Sequence, residues 1–329
     1  MIKSILITGG TGSFGQAFVE TVLDRFKNIK RVVVFSRDEQ KQFFMSQKFP
    51  AKKYPSLRFF IGDVRNRERL RRSLDGIDCV VHAAALKHVP AGEYNPIEFI
   101  QTNIIGAQNL IEACIDAKVK QVVALSTDKA AAPANLYGAT KLCSDRLFIS
   151  ANDYSGLSVK FSVVRYGNVF GSRGSVVPLF LEKKKKGVLP ITHKDMTRFN
   201  VTLKDGVDMV LWSLKNSLGG EILVPKTPSY KLLDLAKAIS PKSKIKIVGV
   251  RPGEKIHEEL ITKSDSFSTV DLGKYYVILP ASNTKIMKEY LKKKKGKKII
   301  LQSYNSKDNE KFLTVKQIQD LLKDYLKKN

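Results

Sequence analysis

The chain has 329 residues, of which 43% are hydrophobic and 27% charged, a balance typical of a folded globular protein. No apolar run reaches the length of about 18 residues that a membrane-spanning helix requires, so no membrane span is expected. The formal net charge is +26, but the lysines are spread along the chain and no stretch alternates basic with aromatic residues, so a nucleic-acid partner is not expected.

Apolar runs alternate with helical patterns through the first half of the chain. The first run begins at Ser4, which leaves too little room before it for a cleavable secretory signal, so none is expected. The runs that predict buried strands are Ser4–Thr8, Arg31–Phe35, Arg58–Ile61, Cys79–Ala83, Gln121–Ser126 and Lys160–Arg165. Helical patterns lie between them, among them Phe14–Arg25, Arg67–Ser73 and Ile97–Ala117. Strands separated by helices predict an α/β fold built on a Rossmann-like, doubly wound parallel sheet.

The regular alternation ends after Arg165, where glycines and prolines interrupt the pattern. A helical stretch, Lys204–Leu218, and a strand candidate, Glu221–Val224, then return, and the remainder is rich in lysine. We therefore predict a large cofactor-binding domain and a smaller, discontinuous α/β lobe for the substrate. The large domain takes residues 1–165 plus 199–224, and the smaller lobe takes residues 166–198 plus 225–329.

A glycine-rich turn follows the first predicted strand and opens the first predicted helix. Its glycines are spaced as GxxGxxG, at Gly9, Gly12 and Gly15. Glycines at this point allow a tight turn and a close approach of the backbone to a pyrophosphate, which the helix N-terminus attracts. A turn without a ligand is the alternative, but the alternating α/β pattern around it predicts a dinucleotide site. The site would also take in Thr11, Ser13 and Phe14.

The second predicted strand runs into Ser36-Arg37-Asp38, where NAD-binding proteins place an acidic residue on the ribose. A hydroxyl and a guanidinium suit the additional phosphate of NADP, so NADP is the predicted cofactor, although Asp38 leaves NAD open. After the third strand, Asp63 is predicted to contact the adenine or, alternatively, to serve as a plain turn residue. Other residues predicted to line the cofactor site are Lys41, Val64, Ala83 and Lys87.

Reactive side chains are concentrated after the fifth predicted strand, in Thr127-Asp128-Lys129 and at Tyr137 and Lys141. Open α/β sheets place their ligands at the carboxyl ends of strands, which is where this segment falls. The region Leu136–Ser150 predicts a helix, and Tyr137 and Lys141 would share one face of it. An ammonium beside a tyrosine lowers a phenol pKa that begins at about 10, which predicts that Tyr137 acts as a base. Thr127 either bonds a substrate oxygen or caps the following turn.

Together, the GxxGxxG turn and Tyr137-x-x-x-Lys141 resemble the extended short-chain dehydrogenase/reductase family over nearly the whole chain. In that family the tyrosine is the acid or base at the substrate hydroxyl, and the lysine holds the nicotinamide ribose and tunes the tyrosine. Within the family, several segments look like the subgroup of inverting UDP-N-acetylglucosamine 4,6-dehydratases, which opens pseudaminic acid biosynthesis and flagellin glycosylation. These segments are Ala84–Pro90, Ser126–Lys129, Asn135–Lys141, Arg165–Val169, Gly174–Pro178 and Arg251–Lys255. The pair Asp128-Lys129 distinguishes this subgroup from its relatives, because retaining dehydratases carry Asp-Glu there and simple 4-epimerases carry neither.

The resemblance implies a reaction in three stages on a UDP-sugar. Tyr137 takes the proton of the C4 hydroxyl as NADP⁺ takes the C4 hydride, a base then removes the C5 proton as the C6 hydroxyl leaves as water, and hydride finally returns to C6. Lys129 is the implied base at C5 and Asp128 the implied acid at the C6 hydroxyl. A close Asp⁻–Lys⁺ pair would shift both pKa values away from these roles, so we expect the two side chains to point to different substrate atoms. Return of the proton to the opposite face of C5 would invert that centre.

The smaller lobe carries most of the residues that the resemblance assigns to the nucleotide. Arginine suits a diphosphate because its planar fork binds two oxygens, and Glu254 would accept hydrogen bonds from ribose hydroxyls. The subgroup has an aromatic residue after Met-Thr-Arg-Phe where this chain has Asn200, a departure that affects packing near the nucleotide rather than the chemistry. The residues expected to bind the substrate are Lys87, Asn168, Val176, Arg198, Arg251 and Glu254.

Two other functions stay open from the sequence. The first is a retaining 4,6-dehydratase or a C4/C5 epimerase acting on another UDP-sugar. The second is a non-catalytic NADP-sensing or RNA-binding protein. The intact pair of Tyr137 and Lys141 argues against a binding protein, which has no need of a tuned phenol.

The cysteines and the family resemblance bear on the cellular setting. Cys79, Cys114 and Cys143 form neither a disulfide framework nor a metal-binding spacing with the four histidines, so we expect a cytoplasmic enzyme without a metal. The family implies a homo-oligomer, either a dimer or a hexamer. Exposed apolar surface on Ile97–Ala117 would fit such an assembly.

Overall fold

A ten-stranded sheet runs through the centre of the computed structural model, which describes residues 2–156, 158–280 and 284–328. Its central strands are apolar runs that are buried on both faces, as the sequence pattern predicted. The strands of the described residues are β1 (Ser4–Thr8), β2 (Arg31–Ser36), β3 (Leu57–Ile61), β4 (Cys79–His82), β5 (Gln121–Thr127), β6 (Lys160–Tyr166), β7 (Asn168–Val169), β8 (Val188–Ile191), β9 (Thr197–Val201), β10 (Ile222–Pro225), β11 (Ser229–Lys231), β12 (Lys244–Ile247), β13 (Glu259–Ile261), β14 (Thr269–Asp271), β15 (Tyr275–Ile278), β16 (Lys297–Lys298) and β17 (Tyr304–Asn305).

Helices cover the sheet and build much of the second lobe. They are α1 (Ser13–Arg25), α2 (Glu39–Lys48), α3 (Arg67–Ser73), α4 (Val89–Tyr94), α5 (Pro96–Phe99), α6 (Gly106–Asp116), α7 (Leu136–Tyr154), α8 (Val176–Lys183), α9 (Leu203–Asn216), α10 (Leu232–Ile239), α11 (Lys263–Ser266), α12 (Thr284–Lys292) and α13 (Val315–Lys328), with short 3-10 helices at Asp128–Ala130 and Lys184–Lys186. Asn135 caps α7 by accepting the Gly138 N–H at 2.8 Å, which fixes where the helix that carries Tyr137 begins. Among the described residues, no helix is long and apolar enough to cross a membrane.

The order of the strands determines where the candidate site lies. Strands β3-β2-β1-β4-β5-β6 are adjacent in that order and parallel, which is the Rossmann arrangement, and β10 continues in parallel beside β6. The order reverses between β1 and β4, so a crevice forms there at the carboxyl ends of the strands. The predicted Rossmann-like α/β fold is confirmed, and the predicted strands begin and end within one residue of the observed ones.

Strands from the C-terminal third of the chain complete the sheet beyond β10. Strand β15 pairs antiparallel with β10, β14 pairs with β15, and β16 pairs with β14. The stretch 225–329 therefore contributes to the main sheet as well as to the second lobe. The division at residue 225 stays a proposal, and this pairing favours assigning 269–298 to the larger domain.

The second lobe has a small core of its own. Its strands form a three-stranded sheet, β11-β9-β7, and two pairs, β12-β8 and β13-β17. Apolar side chains from α8, β8, α10 and α13 pack together, among them Phe180, Leu189, Leu235 and Ile318. The lobe meets the main sheet where β13 lies against the 3-10 helix Asp128–Ala130.

The single helix predicted over Ile97–Ala117 is interrupted in the structure. Helix α5 gives way to a π-helical segment, Ile100–Ile105, before α6 begins. Such segments are rare and are frequent at functional sites. This one places the buried Asn103 so that its amide donates to the Leu86 carbonyl oxygen at 2.9 Å and to Thr140 Oγ1 at 3.0 Å. Asn103 thereby ties the loop after β4 to α7.

Candidate active site

A cleft of about 830 Å³ lies at the carboxyl ends of the central parallel strands, where the second lobe faces the sheet. It brings together the predicted cofactor and substrate residues, and of the predicted site residues only Asp128 is absent from its walls, because that side chain is completely buried. The predicted residues on its walls are Gly9, Thr11, Gly12, Ser13, Phe14, Gly15, Ser36, Arg37, Asp38, Lys41, Asp63, Val64, Ala83, Lys87, Thr127, Lys129, Tyr137, Lys141, Asn168, Val176, Arg198, Arg251 and Glu254.

Two glycines of the turn after β1 are required by close backbone approaches. Gly9 has a φ of +66°, and a Cβ there would lie 2.8 Å from the Ala84 nitrogen. A Cβ on Gly15 would lie 2.4 Å from the Gly10 carbonyl oxygen, so a larger residue would push α1 away from the turn. The bare backbone and the N-terminus of α1 form a cradle that fits a pyrophosphate.

The corner after β2 brings charged side chains and hydroxyl groups to the edge of the cleft. Asp38 caps α2, since its carboxylate accepts the Lys41 N–H at 2.9 Å and also pairs with the Lys41 ammonium. These bonds with Lys41 hold the pKa of Asp38 below its ordinary value. Thr11 Oγ1 lies 2.9 Å from Ser36 Oγ, and the half-exposed Arg37 guanidinium borders the cleft. Asp38 is the residue that left NAD open as the cofactor from the sequence alone. Its carboxylate is therefore already bonded to the N-terminus of α2 and to the Lys41 ammonium.

Asp63 lies among arginines on the same side of the cleft. Its Oδ2 is 2.8 Å from Arg65 Nη2 and 3.5 Å from Arg37 Nη1. Burial opposes ionisation of this carboxyl, but the hydrogen bonds from Arg65 outweigh it and lower the pKa of Asp63. Its Oδ1 also accepts the Arg65 N–H at 2.9 Å, so Asp63 shapes the turn while it borders the cleft.

The side chains of Asp128 and Lys129 are in direct contact with each other. Lys129 Nζ lies 3.1 Å from Asp128 Oδ1, 3.3 Å from Glu258 Oε1 and 3.4 Å from Asn168 Oδ1, and the lysine side chain is 25% exposed. The two side chains are therefore paired with each other, contrary to the expectation that they are held apart. The 3-10 turn after β5 brings the neighbouring side chains together, and a second carboxylate from the other lobe reaches the same ammonium.

The carboxyl groups of Asp128 and Glu258 determine the protonation states of Lys129 and of Asp128 itself. Burial alone would lower the pKa of Lys129, but the charges of Asp128 and Glu258 outweigh it and raise that pKa above its ordinary value. Burial raises the pKa of Asp128, and Glu258 adds to the rise while Lys129 opposes it. Asp128 is therefore suited to carry a proton, as an acid must. Lys129 is an ammonium in this arrangement and becomes a base only after giving up a proton.

Tyr137 and Lys141 lie one helical turn apart on α7 and both face the cleft, as their spacing predicted. Burial raises the pKa of Tyr137 to about 12, against the opposing effects of the Lys129 charge and of the hydrogen bond with Thr127. The expectation of a lowered Tyr137 pKa is wrong, because burial outweighs the nearby positive charge, and the largest opposing charge is that of Lys129. Lys141 is itself buried, and burial lowers its pKa against the charge of Asp145.

Three buried polar residues at the site were not predicted from the sequence, namely Asn103, Asp145 and Glu258. Asp145 lies one further turn along α7 from Lys141, and its Oδ2 is 3.4 Å from Nη2 of the buried Arg165. The four-residue spacing that pointed to Lys141 points to Asp145 as well. Asn103 and Glu258 have no comparable local signal, because their partners lie on other elements.

The second lobe supplies charged side chains to the opposite wall. Arg198 is buried on β9, donates to the Ile256 carbonyl oxygen at 3.0 Å and has its Nη2 3.6 Å from Glu254 Oε1. From the sheet side, Lys87 Nζ donates to the Arg173 carbonyl oxygen at 3.0 Å. Burial lowers the pKa of Lys87, and the charge of Lys129 lowers it further. Cations from both sides of the cleft therefore suit an anionic ligand.

The remaining predicted substrate residues lie around this wall. Asn168 lies on β7, Val176 begins α8, and Arg251 is exposed in the loop before β13. Asn200, which replaces the subgroup's aromatic residue, is buried on β9 and pairs in register with Asn168. The departure therefore lies directly beside a predicted substrate residue.

Comparisons with known proteins identify relatives of this chain. A family described as polysaccharide biosynthesis protein matches residues 5–280. A protein of Campylobacter jejuni subsp. jejuni serotype O:2, named UDP-N-acetylglucosamine 4,6-dehydratase (inverting), is 53% identical over 282 residues, which are 85% of this chain and 83% of that protein. A protein of Rickettsia akari, named UDP-glucose 4-epimerase, is 42% identical over 328 residues, which are 97% of this chain and 95% of that protein. The two names describe different reactions of UDP-sugars.

Solved structures share the fold. The X-ray structure of Pen from Bacillus thuringiensis matches with a TM-score of 0.88 at 36% identity, covering 98% of both chains. The dTDP-glucose 4,6-dehydratase DesIV from Streptomyces venezuelae, solved with NAD bound, matches with a TM-score of 0.68 at 25% identity, covering 77% of this chain and 86% of that chain. The cradle at Gly9 and Gly15 and this likeness together support a nicotinamide dinucleotide cofactor.

Proposed function

The chain belongs to the polysaccharide biosynthesis protein family, and from that premise we propose that it is an inverting UDP-N-acetylglucosamine 4,6-dehydratase. The observation that carries the proposal is the Asp128–Lys129 pair, whose lysine faces the same cleft as Tyr137. Oxidation at C4 requires Tyr137 and a cofactor, whereas loss of water across C5 and C6 requires a further acid and a further base. Asp128 and Lys129 supply both groups. The dehydratase relative is also the more similar, at 53% identity against 42% for the epimerase relative.

In the proposed reaction each reactive side chain handles one proton. Tyr137 accepts the proton of the C4 hydroxyl, and Thr127 and Lys129 favour its phenolate, since both lower the Tyr137 pKa. The ketone at C4 makes the C5 hydrogen acidic. Lys129, whose side chain is 25% exposed, first gives up its ammonium proton to solvent and then takes the C5 hydrogen as a proton. Asp128 donates its proton to the departing C6 hydroxyl, which requires the buried carboxyl to become accessible from the cleft when the substrate binds. The nicotinamide cofactor, when bound, stores the hydride from C4 and returns it to C6, so no net oxidation occurs. Protonation of C5 from the opposite face gives UDP-2-acetamido-2,6-dideoxy-β-L-arabino-hex-4-ulose.

The experiment that tests this function uses the purified chain, UDP-N-acetylglucosamine and no added cofactor, in D₂O. We expect a 6-deoxy-4-keto product with an inverted C5 that carries deuterium, because elimination and reprotonation pass through C5. Nuclear magnetic resonance of the sugar reports both results. A retained C5 configuration would indicate a retaining dehydratase.

The Rickettsia akari relative favours a second candidate, a UDP-glucose 4-epimerase. Epimerisation at C4 removes no proton from C5, so Asp128 and Lys129 would have no chemical role in it. The same experiment with UDP-glucose distinguishes the two candidates. An epimerase returns a sugar that is inverted at C4, keeps its C6 hydroxyl and has no deuterium at C5.

We propose NADP rather than NAD as the cofactor. Arg37 and Lys41 place two cations beside Ser36, where the 2′-phosphate of NADP would lie. The Asp38 carboxylate, which would otherwise hold ribose hydroxyls, is occupied by the N-terminus of α2 and by Lys41. The contacts of Asp38 and the charge of Arg37 thus support a phosphate at this corner.

The Arg37→Ala variant should bind NADP roughly 10- to 100-fold more weakly, because one charge-assisted contact to the 2′-phosphate is lost. Its affinity for NAD should change little, since NAD has no phosphate there. Isothermal titration calorimetry with both dinucleotides measures the difference. Arg58→Ala, an exposed arginine on β3 outside the cleft, is the control. Equal losses for NADP and NAD would contradict a phosphate contact.

Three features of the biological setting belong to the same proposal. A 6-deoxy-4-keto sugar with an inverted C5 places the reaction at the start of pseudaminic acid biosynthesis, and so of flagellin glycosylation. A dimer or hexamer is supported by the side chains of Tyr94 on α4 and Ile97 on α5, which are 87% and 57% exposed. A reducing cytoplasm is supported by the free thiols of Cys79, Cys114 and Cys143.

A further inference from the structure

A second carboxylate completes the charge cluster around Lys129. The Glu258 side chain is 3% exposed, and its Oε1 lies 3.3 Å from Lys129 Nζ and 3.6 Å from Arg198 Nε. Its Oε2 is buried and has no hydrogen-bond partner among the described residues, as is also true of Asp128 Oδ2. Two carboxyl groups, one ammonium and one guanidinium therefore share a single buried cluster.

The backbone of Glu258 is fixed to the second lobe. Its N–H donates to Ser306 Oγ at 2.9 Å, and the Ser306 N–H donates to the Glu258 carbonyl oxygen at 2.8 Å. Ser306 Oγ lies in turn 2.7 Å from Thr197 Oγ1 on β9. The carboxylate thus reaches Lys129 from a hydrogen-bonded frame rather than from a free surface loop.

Charged and titratable groups face this cluster from several elements. Two carboxyl groups in one buried space cannot both ionise easily, so one of them keeps its proton. Burial opposes ionisation of Glu258, but the charges of Lys129 and Arg198 outweigh it and lower its pKa, whereas burial and Glu258 raise the pKa of Asp128. Glu258 is thus the fixed anion. The groups that face Asp128 and Glu258 are Thr127, Lys129, Tyr137, Arg198, Tyr230 and Lys255, with Lys87 acting on Lys129 and Glu254 on Arg198.

Resting on the proposed dehydratase function, we propose that Glu258 is a positioning residue for the elimination step, which anchors the Lys129 ammonium and keeps the proton on Asp128. Glu258 acts through the pair and transfers no proton to the sugar. Without the negative charge of Glu258, Asp128 loses its proton at neutral pH and forms an ion pair with Lys129. The resulting ion pair has a poorer acid for the C6 hydroxyl.

The Glu258→Gln variant tests this role, because glutamine keeps the shape and removes the charge. Loss of a neighbouring negative charge lowers the pKa of Asp128 and of Lys129 alike, so both limbs of the pH profile for 6-deoxy product formation should move about one unit toward lower pH. At neutral pH the product rate should fall by up to about 10-fold, because a shift of one unit changes the protonated fraction of one group by at most that factor. C4 oxidation, followed as reduced cofactor in a single turnover, should change by less than about 5-fold, since Tyr137 is intact.

Two further variants separate charge from structure. Glu258→Asp keeps the charge and should recover part of the product rate, with the pH profile close to that of the native chain. Glu259→Gln, which alters the adjacent half-buried carboxyl, should leave the product rate and the pH profile unchanged. An unshifted pH profile in Glu258→Gln would overturn the inference, whatever the size of the rate loss.

A measurement without turnover keeps this inference separate from the proposed function. Infrared spectra of the native chain at neutral pH should contain a protonated carboxyl band that disappears in Asp128→Asn. The same band should be absent from Glu258→Gln. Persistence of the band in Glu258→Gln would overturn the inference. Failure of the native chain to dehydrate UDP-N-acetylglucosamine would count against the proposed function, and the infrared band would still decide whether Glu258 controls the proton on Asp128.

Discussion

The Lys129→Arg variant is expected to oxidise its sugar at C4 and then to stop. Arginine keeps a positive charge between Asp128 and Glu258 but does not lose its proton at any usable pH, so it cannot act as the C5 base. Release of the 6-deoxy product should fall about 1,000-fold, while reduced cofactor accumulates in a single turnover. The 4-keto sugar should take up no deuterium at C5, which nuclear magnetic resonance measures directly.

Two comparison variants make this result specific to the base. Lys129→Ala removes the charge as well as the base and leaves two buried carboxyl groups without their ammonium, so it should unfold at a lower temperature than Lys129→Arg. Lys160→Ala alters an exposed lysine at the start of β6 and should behave as the native chain does. Normal amounts of 6-deoxy-4-keto product from Lys129→Arg would assign the base elsewhere. Lys87, whose pKa is lowered by burial at the same cleft, would be the next residue to test.

The Tyr137→Phe variant should fail one step earlier, before the cofactor is reduced. Without the phenol, no group accepts the proton of the C4 hydroxyl, so reduced cofactor and 6-deoxy product should both fall about 1,000-fold. The dissociation constant for the UDP-sugar should change only a few-fold, because the nucleotide contacts lie on the second lobe. Tyr154→Phe, near the end of the same helix and 57% exposed, is the matched control. Single-turnover absorbance of the reduced cofactor, together with calorimetric binding, measures the separation.

The pKa of Tyr137 determines the sign of the pH dependence. Burial raises that pKa to about 12, so the phenolate fraction grows about tenfold for each unit of pH below that value. C4 oxidation by the native chain should therefore accelerate as the pH rises from neutrality. Because the Lys129 charge lowers the Tyr137 pKa, this acceleration should move to higher pH in Lys129→Ala but not in Lys129→Arg. Cofactor reduction by Tyr137→Phe at the native rate would remove Tyr137 from this role.

Features that depend on residues close together in the chain could be predicted from the sequence. The GxxGxxG spacing and the four-residue spacing of Tyr137 and Lys141 express the local geometry of a turn and of a helix, and the structure brings these residues to one cleft. The parallel sheet followed from the alternation of apolar runs with helical patterns, since parallel strands need long crossover connections.

What the sequence did not reveal depends on contacts between distant segments. Glu258 reaches Lys129 from the other lobe, so nothing near Lys129 in the chain indicates a second carboxylate. Spacing predicted that Lys141 neighbours Tyr137, but it gave no measure of burial, and burial outweighs nearby charge at Tyr137. Asn103 lies in a π-helical segment and donates hydrogen bonds to Leu86 and Thr140, which belong to two other parts of the fold. The apolar periodicity of this region predicts only a continuous helix.

A fragment ending at Pro225 would contain the whole glycine cradle and the Tyr137–Lys141 pair, yet it would lack the three strands that pair beyond β10. Strand β10 would then form an edge, although all 4 of its residues, Ile222–Pro225, are buried in the intact chain. An apolar edge with unpaired N–H and C=O groups recruits strands from other molecules. Such a fragment is expected to aggregate. The larger domain therefore depends for its solubility on β14, β15 and β16, which follow most of the substrate lobe in the chain. A shortened chain intended for expression should therefore retain residues 269–298 together with residues 1–225.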